Sequence, residues 1–508
     1  MAIMGVPAIG TNPAHAGSIA VIDVGSNSIR LVVFSGLERS ASTLFNEKVL
    51  CGLGRGLTGS GRLHPQGVEM ARLNLLRFTR LAKAMGVKRI DLLATAAVRE
   101  AADGSAFVAE IEDMCGQPVR VLDGIEEARL SALGVLSGFP AACGVMGDLG
   151  GGSLELVELA DGDAGRSTTL RLGPFALMER FAGDLPAMRA EVDAQLAESG
   201  WITEGATKSY AETLYLVGGA WRSLARIHMQ QSGYPLHVVH GYSMRRGQVK
   251  DLSQVISRLG RRSLAKFQGI TRPRLETLPV AALVLSRVMR VLDCKKVVFS
   301  AFGLREGHLF DLLSAAEKER DPLLAVAADI AVRTARFNTI GDDLLGWTDC
   351  LFVDENAEGR RLRLAACLLS DVAWREHADY RAGQALVQIL HYPMSGIGHR
   401  DRVFLAVAVH ARYGGSATGK EVKPYLDLLE PNMANNARVL GLAMRLAYRV
   451  SGATEAVLKR SALAYDGTAG KLRLILPSDG SAPGGEAVQR RFDDLAKALD
   501  VRLAVVEG

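Results

Sequence analysis

Two short stretches of this sequence combine residues that could bind phosphate groups and a divalent cation. Each has an aspartate at the end of an apolar run and then a turn rich in glycine and serine, in residues 23–28 and residues 148–155. Glycine accepts positive φ angles and lets a ligand approach exposed backbone N–H groups, so such a turn can hold phosphate oxygens. An aspartate at the strand end suits Mg²⁺, which takes its other ligands from phosphate and water. The pattern therefore predicts a site that holds a phosphate chain between two facing turns.

A single turn of this kind is weak evidence, because Asp-Gly pairs most often only close a β-hairpin. Here two turns occur in matching contexts, and the second one adds Ser153 and Glu155 to its aspartate. The repetition favours a binding site over two unrelated hairpins.

Two adjacent glutamates, Glu126 and Glu127, begin a predicted helix. Hydrolysis of a phosphate chain needs a carboxylate that activates a water molecule in line with the terminal phosphorus. Successive helical residues point about 100° apart, so only one glutamate can face a cleft and the other is solvated or paired with a cation. Taken alone, the pair is better explained as a helix N-terminus stabilised by the helix dipole.

The elements around the two turns repeat along the chain. Residues 18–24 and 29–34 are predicted to form strands on either side of the first turn, and residues 145–149 and 154–159 do the same around the second. Helical spacing of apolar residues follows over 65–85, and α/β alternation continues from there. Because a tight hairpin joins antiparallel strands, we expect mixed sheets and not purely parallel ones.

The composition is that of a folded protein with several domains. The chain has 508 residues, of which 48 % are hydrophobic and 23 % charged, and this excludes a wholly disordered chain. A net charge of +5 allows a polyanionic ligand in a local groove but does not favour a nucleic-acid-binding protein. No apolar run is long enough for a membrane span, no signal peptide is recognised, and the six cysteines are scattered. We therefore expect a cytoplasmic protein with reduced thiols and no membrane partner.

The charged stretch 317–322 separates two parts of different character. Strand patterns disappear after it until about residue 460, and the end of the chain returns to strands around one helix. We predict four domains: two α/β domains over 1–138 and 139–316, a helical domain over 323–452 and a small α+β domain over 455–508.

Paired turns in duplicated units resemble those of the actin-like superfamily of ATPases, sugar kinases and phosphatases. The stretches 94–101 (ATAAVREA) and 123–130 (DGIEEARL) narrow the resemblance to the exopolyphosphatase and guanosine-pentaphosphate phosphatase family. With the two turns and residues 303–307, five motifs follow the order of that family over residues 18–310. The resemblance implies an α/β fold with two actin-like (ribonuclease-H-like) domains with mixed sheets, then an all-helical HD-like domain and a small α+β C-terminal module.

The resemblance also implies a role for each residue of these motifs. Glu127 would be the base that orients and activates the attacking water. Arg99 would pair with the terminal phosphate, and Arg274 stands, in a loose alignment, where the family often has a substrate arginine. The metal ligands would be Asp23, Asp148 and Glu155. The other phosphate-binding groups would be the turn residues Gly25, Ser26, Asn27, Gly150, Gly151, Gly152 and Ser153.

As a whole, the resemblance implies an exopolyphosphatase that removes the terminal phosphate of inorganic polyphosphate, with Mg²⁺ as the cofactor and K⁺ as a further candidate. The alternative is hydrolysis of guanosine pentaphosphate to the tetraphosphate, which would use the same catalytic residues. A homodimer is expected from the resemblance, with no nucleic-acid partner.

Two other classes of function fit parts of the sequence. An actin-like ATPase or kinase would share the turns, but residues 126–129 and 95–99 argue against it. A non-catalytic sensor of polyphosphate or alarmone would signal through the helical domain, and the intact Glu127 argues against that. In the HD-like segment, Ser370 precedes Asp371 where active HD phosphohydrolases have a ligand histidine, so we expect no second metal centre there.

Overall fold

The computed structural model of the chain describes residues 17–203, 212–259, 261–269, 272–478 and 484–507. The chain divides into two compact units, Met1–Glu319 and Arg320–Gly508. Within the described ranges, no helix combines the length and the apolar character needed to cross a membrane.

The first sheet of the first unit has five strands in the order β3-β2-β1-β4-β5. Strand β2 is antiparallel to both of its neighbours, whereas β1, β4 and β5 run parallel. The sheet is therefore mixed, as predicted. Its strands are β1 (Ile19–Val24), β2 (Ser28–Phe34), β3 (Thr43–Leu50), β4 (Arg89–Ala94) and β5 (Val119–Val121).

The second sheet repeats the first and adds one strand. Its order is β10-β11-β9-β6-β7-β8, and β7 is again antiparallel to both neighbours while β6, β9 and β11 run parallel. The run β8-β7-β6-β9-β11 thus matches β3-β2-β1-β4-β5 strand by strand, which confirms the predicted repeat. The strands are β6 (Gly144–Leu149), β7 (Leu154–Ala160), β8 (Asp163–Leu170), β9 (Thr213–Val217), β10 (Ser243–Arg245) and β11 (Lys296–Phe299).

Burial explains which strands lie at the centre of each sheet. Strands β1 and β6 are almost wholly apolar and buried, as expected for strands covered on both faces. Strand β3 alternates between exposed and half-buried residues, which fits an edge strand.

The helices of this unit are Leu57–Ser60, Pro65–Ala84, Ala96–Glu100, Gly104–Cys115, Gly124–Gly138, Pro174–Phe181, Leu185–Glu198, Gly200–Thr203, Gly219–Gln231, Arg246–Arg258, Arg261–Leu264, Arg272–Val291, Leu304–Asp311 and Ala315–Glu319.

The helices Gly124–Gly138 and Leu304–Asp311 pack unusually closely. A Cβ atom at Gly307 would overlap the carbonyl oxygen of Leu130, and one at Gly134 would overlap that of Gly303. Glycine is required at both positions because the two backbones are in direct contact. This contact fixes the middle of helix Gly124–Gly138, which carries Glu127 in its first turn, against the start of the helix that carries Arg305.

The second unit consists of helices followed by a three-stranded sheet. Its sheet has the order β12-β13-β14, with β12 antiparallel and β14 parallel to β13, and its strands are Ala462–Asp466, Lys471–Ile475 and Leu503–Glu507. The helices are Pro322–Thr334, Gly341–Thr348, Asp349–Leu351, Ala357–Leu368, Leu369–Asp371, Ala378–Tyr380, Arg381–His391, His399–Arg412, Lys423–Leu426, Pro431–Ser451, Glu455–Leu458 and Glu486–Ala498. The elements follow the predicted helical and α+β segments, and contacts join both segments into one unit. The HD-like character of the helical segment stays a prediction.

Candidate active site

The two predicted phosphate-binding turns have the same backbone geometry. Gly25 N–H donates to the carbonyl oxygen of Ser28 at 3.0 Å, and Gly150 N–H donates to that of Ser153, also at 3.0 Å. In each hairpin the aspartate at the strand end faces the residue seven positions later. Asp23 is opposite Arg30, whereas Asp148 is opposite Glu155. The repeated position therefore carries a cation in the first hairpin and a carboxylate in the second.

Both turns line one cavity of about 220 Å³. All predicted site residues except Arg99 line this cavity. They are far apart in the sequence, between positions 23 and 274, and the fold brings them together. These residues are Asp23, Gly25, Ser26, Asn27, Glu127, Asp148, Gly150, Gly151, Gly152, Ser153, Glu155 and Arg274.

Glu127 lies in the first turn of helix Gly124–Gly138, where Asp123 caps the helix by accepting from the Glu126 N–H at 2.8 Å. Its Oε2 accepts a hydrogen bond from Arg99 Nη1 at 3.1 Å. Burial raises the pKa of Glu127 to about 7, against the effect of Arg99, and the nearby Asp148 and Asp23 raise it further. A carboxylate that titrates near neutrality is suited to accept a proton from water.

Glu126 has a different environment from Glu127. Arg129 donates to its two oxygens at 2.8 and 3.1 Å, and Arg120 also pairs with it. The hydrogen bond from Arg129 contributes most to lowering the pKa of Glu126. Arg129 in turn holds Asp311 with two hydrogen bonds of 2.9 Å. This confirms that one glutamate faces the cavity and the other is paired with cations.

Arg99 supports Glu127 in this structure. Besides Glu127, its Nη1 donates to the carbonyl oxygen of Leu122 at 2.7 Å, which anchors the guanidinium to the segment preceding the helix. Arg99 thereby orients the Glu127 carboxylate. Its predicted contact with the terminal phosphate stays a prediction.

The three predicted metal ligands differ in how they are compensated. Asp23 accepts from Arg305 Nη1 at 2.7 Å, and Asp148 accepts from the Ser131 hydroxyl at 2.7 Å. Glu155 is only 2 % exposed, and its Oε1 has no hydrogen-bond partner among the described residues. Burial raises the pKa values of Asp148 and Glu155, and Glu127 raises that of Glu155 further.

A hard divalent cation fits this set of donors. Asp148 and Glu155 offer carboxylate oxygens in the cavity, and the orphan Oε1 of Glu155 is an acceptor that a cation would satisfy. In the part of the chain that the structure describes, no three His, Cys, Asp or Glu side chains are grouped so that they could hold a metal alone. A cation here would thus take one or two protein ligands and complete its shell with phosphate and water, as Mg²⁺ commonly does.

Sequence reasoning missed four cations that line the same cavity together with Arg274: Arg30, Lys48, Arg222 and Arg305. Burial, and then the neighbouring Arg305, lower the pKa of Arg222 to about 10, and the same two causes lower that of Arg30. Arg222 also donates to the carbonyl oxygens of Ser300 and Ala301, at 3.3 and 3.2 Å. So many cations in one small cavity favour a ligand with several negative charges.

A larger cavity of about 1120 Å³ adjoins the first one and shares Ser26, Asn27, Ala96, Phe175 and the turn 151–153 with it. Its lining is mixed, with apolar side chains such as Leu57 and Met178 beside charged ones. Three of its lining residues are arginines and five are glutamates. The larger cavity is therefore less suited to a polyanion than the smaller one.

In the second unit, the residues at the expected HD position are engaged with protein groups. The Ser370 hydroxyl donates to the Cys367 carbonyl oxygen at 2.6 Å. Asp371 accepts from Arg336 and from Arg412, each at 3.0 Å. Two guanidinium groups thus occupy the Asp371 carboxylate.

Comparison with protein families gives two adjacent matches. The profile of the Ppx/GppA phosphatase family matches residues 32–316, and the profile described as exopolyphosphatase, C-terminal, matches residues 323–506. The two matches together follow the two compact units.

Individual proteins are also similar to this chain. Exopolyphosphatase 1 of Mycobacterium leprae is 27 % identical over 310 residues, which are 58 % of this chain and 90 % of that protein. Retrograde regulation protein 2 of Saccharomyces cerevisiae is 25 % identical over 441 residues, 79 % of this chain and 74 % of that protein.

Solved structures share the fold of more than half of this chain. An exopolyphosphatase from Cytophaga hutchinsonii superimposes with a TM-score of 0.54 at 22 % identity, over 58 % of this chain and 99 % of that one. The Ppx/GppA family member of Aquifex aeolicus gives a TM-score of 0.50 at 23 % identity, over 58 % of this chain and 96 % of that one. These matches confirm the predicted α/β fold of the actin-like type.

Proposed function

The chain belongs to the Ppx/GppA phosphatase family, and from this we propose that it is an exopolyphosphatase, which hydrolyses the terminal phosphoanhydride bond of inorganic polyphosphate. One observation carries the proposal. Glu127, a carboxylate with a pKa near neutrality, faces a small cavity between two phosphate-binding turns that also contains five cationic side chains. A base, a phosphate cradle and positive charge in one place are what hydrolysis of a polyanion needs.

In the proposed reaction, the Glu127 carboxylate accepts a proton from a water molecule. The water oxygen forms a bond to the terminal phosphorus while the bond from that phosphorus to the bridging oxygen breaks. The electron pair of the broken bond stays on the shortened chain, and the other product is inorganic phosphate. Arg99 keeps the carboxylate oriented by donating to Oε2, and the backbone N–H groups of the turns hold the phosphate oxygens.

A cation at Asp148 and Glu155 would neutralise charge on the phosphate groups. We propose Mg²⁺ for this place, because the donors are carboxylate oxygens and leave room for phosphate and water as further ligands. K⁺ remains a second candidate from the family resemblance.

Polyphosphate is favoured over guanosine pentaphosphate as the substrate. Relatives that match 58 % of this chain are named exopolyphosphatase, and the second unit matches the family's exopolyphosphatase C-terminal profile. The cationic lining fits a ligand made only of phosphate groups. The cytoplasmic location and the homodimer are proposed from the family resemblance.

Release of inorganic phosphate in the presence of Mg²⁺ tests the proposal. The full chain is assayed with long-chain polyphosphate and, separately, with guanosine pentaphosphate at equal concentrations of terminal phosphate. We expect the larger kcat/KM with polyphosphate. A larger value with the nucleotide would replace the proposed substrate while leaving Glu127 in its role.

A matched pair of variants connects the activity to the cavity. Replacing Glu127 by Gln removes the base, and we expect a loss in kcat of about 10²–10⁴-fold. Replacing Glu126 by Gln changes the neighbouring carboxylate, which is paired with Arg129 away from the cavity, and should alter kcat little. Equal losses in the two variants would contradict the assignment of Glu127.

A further inference from the structure

Lys48 extends a row of charged residues across the first sheet. Strand pairing places Asp23 opposite Arg30, and Arg30 opposite Lys48. Directly paired residues of antiparallel strands share one face of the sheet, and neighbouring strands lie about 4.8 Å apart. Lys48 is therefore roughly 10 Å from Asp23 on the same face, at the edge strand β3. All three side chains line the smaller cavity.

The Lys48 ammonium has positive neighbours and no partner. Among the described residues it forms neither a hydrogen bond nor an ion pair, and the residue is exposed to solvent. Arg274, Arg30 and Arg222 are the nearby cations, and Asp23 is the nearby acid. An unpaired cation beside three others is unfavourable in the free protein, and an anion would relieve the repulsion.

The two cavities offer two ways out for a chain whose terminal phosphate lies at Glu127. The larger cavity has more glutamates than arginines in its lining, so a polyanion in it would meet net negative charge. The side of the smaller cavity formed by β2 and β3 carries Arg30 and Lys48. Coulombic repulsion and attraction thus both favour the second path.

We infer that Lys48 binds a phosphate group behind the terminal one, and that the substrate chain leaves the smaller cavity across β2 and β3 and not through the larger cavity. This inference rests on the proposed function, because it takes the terminal phosphate to lie at Glu127. A single phosphate group is too small to bridge the distance of roughly 10 Å from Asp23, so Lys48 contributes only to the binding of chains.

The protonation of Lys48 gives the inference a second readout. Partial desolvation of the ammonium group lowers the pKa of Lys48 to about 8; Arg274, Arg30 and Arg222 lower it too, and Asp23 opposes them. The charge is present below about pH 8 and is lost as the pH rises through this value. The kcat/KM for polyphosphate, which reports on the free enzyme, should therefore fall on the alkaline side.

Steady-state kinetics of the full chain with long-chain polyphosphate test the inference. Lys48→Gln should raise KM by about tenfold with little change in kcat, because a charge-assisted contact to the substrate is lost. Lys48→Arg should keep KM near the wild-type value and move the alkaline fall of kcat/KM to higher pH. Arg55→Gln is the matched control, since Arg55 lines only the larger cavity, and it should leave KM unchanged.

Each contrary result has a separate meaning. An unchanged KM in Lys48→Gln, or a KM that rises as much in Arg55→Gln, would overturn the inferred path of the chain. A loss in kcat alone in Lys48→Gln would also overturn it, because Lys48 would then act on the reacting phosphate. A wild-type protein that does not hydrolyse polyphosphate would instead refute the proposed function.

Discussion

Four carboxylates share the small cavity, and each is compensated differently. Asp23 pairs with Arg305, Glu127 with Arg99, and Asp148 with a serine hydroxyl, whereas the Oε1 of Glu155 has no partner among the described residues. The carboxylate of the first hairpin thus has a cationic partner, whereas the two carboxylates of the second hairpin have a hydroxyl group or, at Glu155 Oε1, no partner in the described part of the chain. These carboxylates are therefore the costly part of the site, and the acid limb of the pH dependence should originate from them.

The acid limb of the pH profile should depend on Glu127. Burial raises the pKa of this group to about 7, so below that pH the carboxylate is protonated and cannot accept a proton from water. We expect kcat/KM to fall about tenfold for each pH unit below about 7. Arg99→Gln removes a cation that lowers this pKa and should move the limb to higher pH. Arg120→Gln, which changes a partner of Glu126, should leave it in place. An unmoved limb in Arg99→Gln would contradict the role given to Arg99.

Glu155 should reduce stability at neutral and alkaline pH. Its pKa is higher in the folded protein than in the unfolded chain, so the protonated group favours the folded state. This contribution to the free energy of unfolding is fully present below the unfolded-state pKa and is lost as the pH rises through the folded-state pKa. Glu155→Gln keeps the shape without the buried charge. We expect its gain in Tm over the wild type to be larger at pH 8 than at pH 5, by about 2 °C or more, while activity is lost. A gain that is equal at both pH values would contradict this explanation.

At the scale of elements, the sequence predicted what local patterns encode. The hairpins around Asp23 and Asp148 were predictable because their strands are continuous apolar runs with a glycine turn between them. Strands β3 and β8 were missed, since β3 is an exposed edge with Asn46, Glu47 and Lys48 in it. A polar edge strand of this kind cannot be distinguished from a loop by its sequence, because the neighbouring strand that pairs with it is not evident.

The cations of the site show why sequence alone could not complete it. Arg30 had a recognisable signal, because it stands seven residues after Asp23 as Glu155 does after Asp148. Lys48, Arg222 and Arg305 come from three distant elements and meet only in the folded chain. Arg305 lies in the motif 303–307, but no pattern in it assigns the arginine to the cavity, and Lys48 and Arg222 belong to residue types that are common on protein surfaces.

The contact between helices Gly124–Gly138 and Leu304–Asp311 should tolerate no added methyl group. A Cβ at Gly307 would overlap the Leu130 carbonyl oxygen, so Gly307→Ala must push the helices apart. We expect a loss of about 1–3 kcal/mol in the free energy of unfolding and a fall in kcat, because Glu127 and Arg305 move with the helices.

Gly247→Ala provides the control for Gly307→Ala. Gly247 is also helical, but a Cβ there would meet no atom within 4 Å, so this variant should be neutral or slightly stabilising. Chemical denaturation and phosphate release measure both effects. Equal stability of the two variants would contradict the close helix contact.

At the scale of the whole molecule, the residues proposed to be catalytic all lie in one unit. Every residue that lines the two described cavities of the site falls before Glu319. The profile of the Ppx/GppA phosphatase family also matches within this unit, over residues 32–316. The first unit should therefore contain the complete catalytic apparatus.

A fragment that ends at residue 319 tests this division. We expect it to fold cooperatively and to hydrolyse polyphosphate with a kcat within about threefold of the full chain, because the unit has its own buried cores. Circular dichroism and phosphate release are the measurements. A folded but inactive fragment beside an active full chain would mean that the second unit completes the site.

The different residues at the repeated hairpin position give the cleft a direction. The chain repeats one supersecondary unit, yet Arg30 in the first copy corresponds to Glu155 in the second. If the two hairpins that form the walls of the cleft carried identical residues, the cleft would not determine the direction in which a bound polymer runs. Linear polyphosphate has two chemically equivalent ends, so the molecule itself cannot specify which end is cleaved. The unequal walls set the direction instead: the cation proposed at Asp148 and Glu155 would hold whichever end enters first, and Arg30 and Lys48 would hold the remainder of the chain.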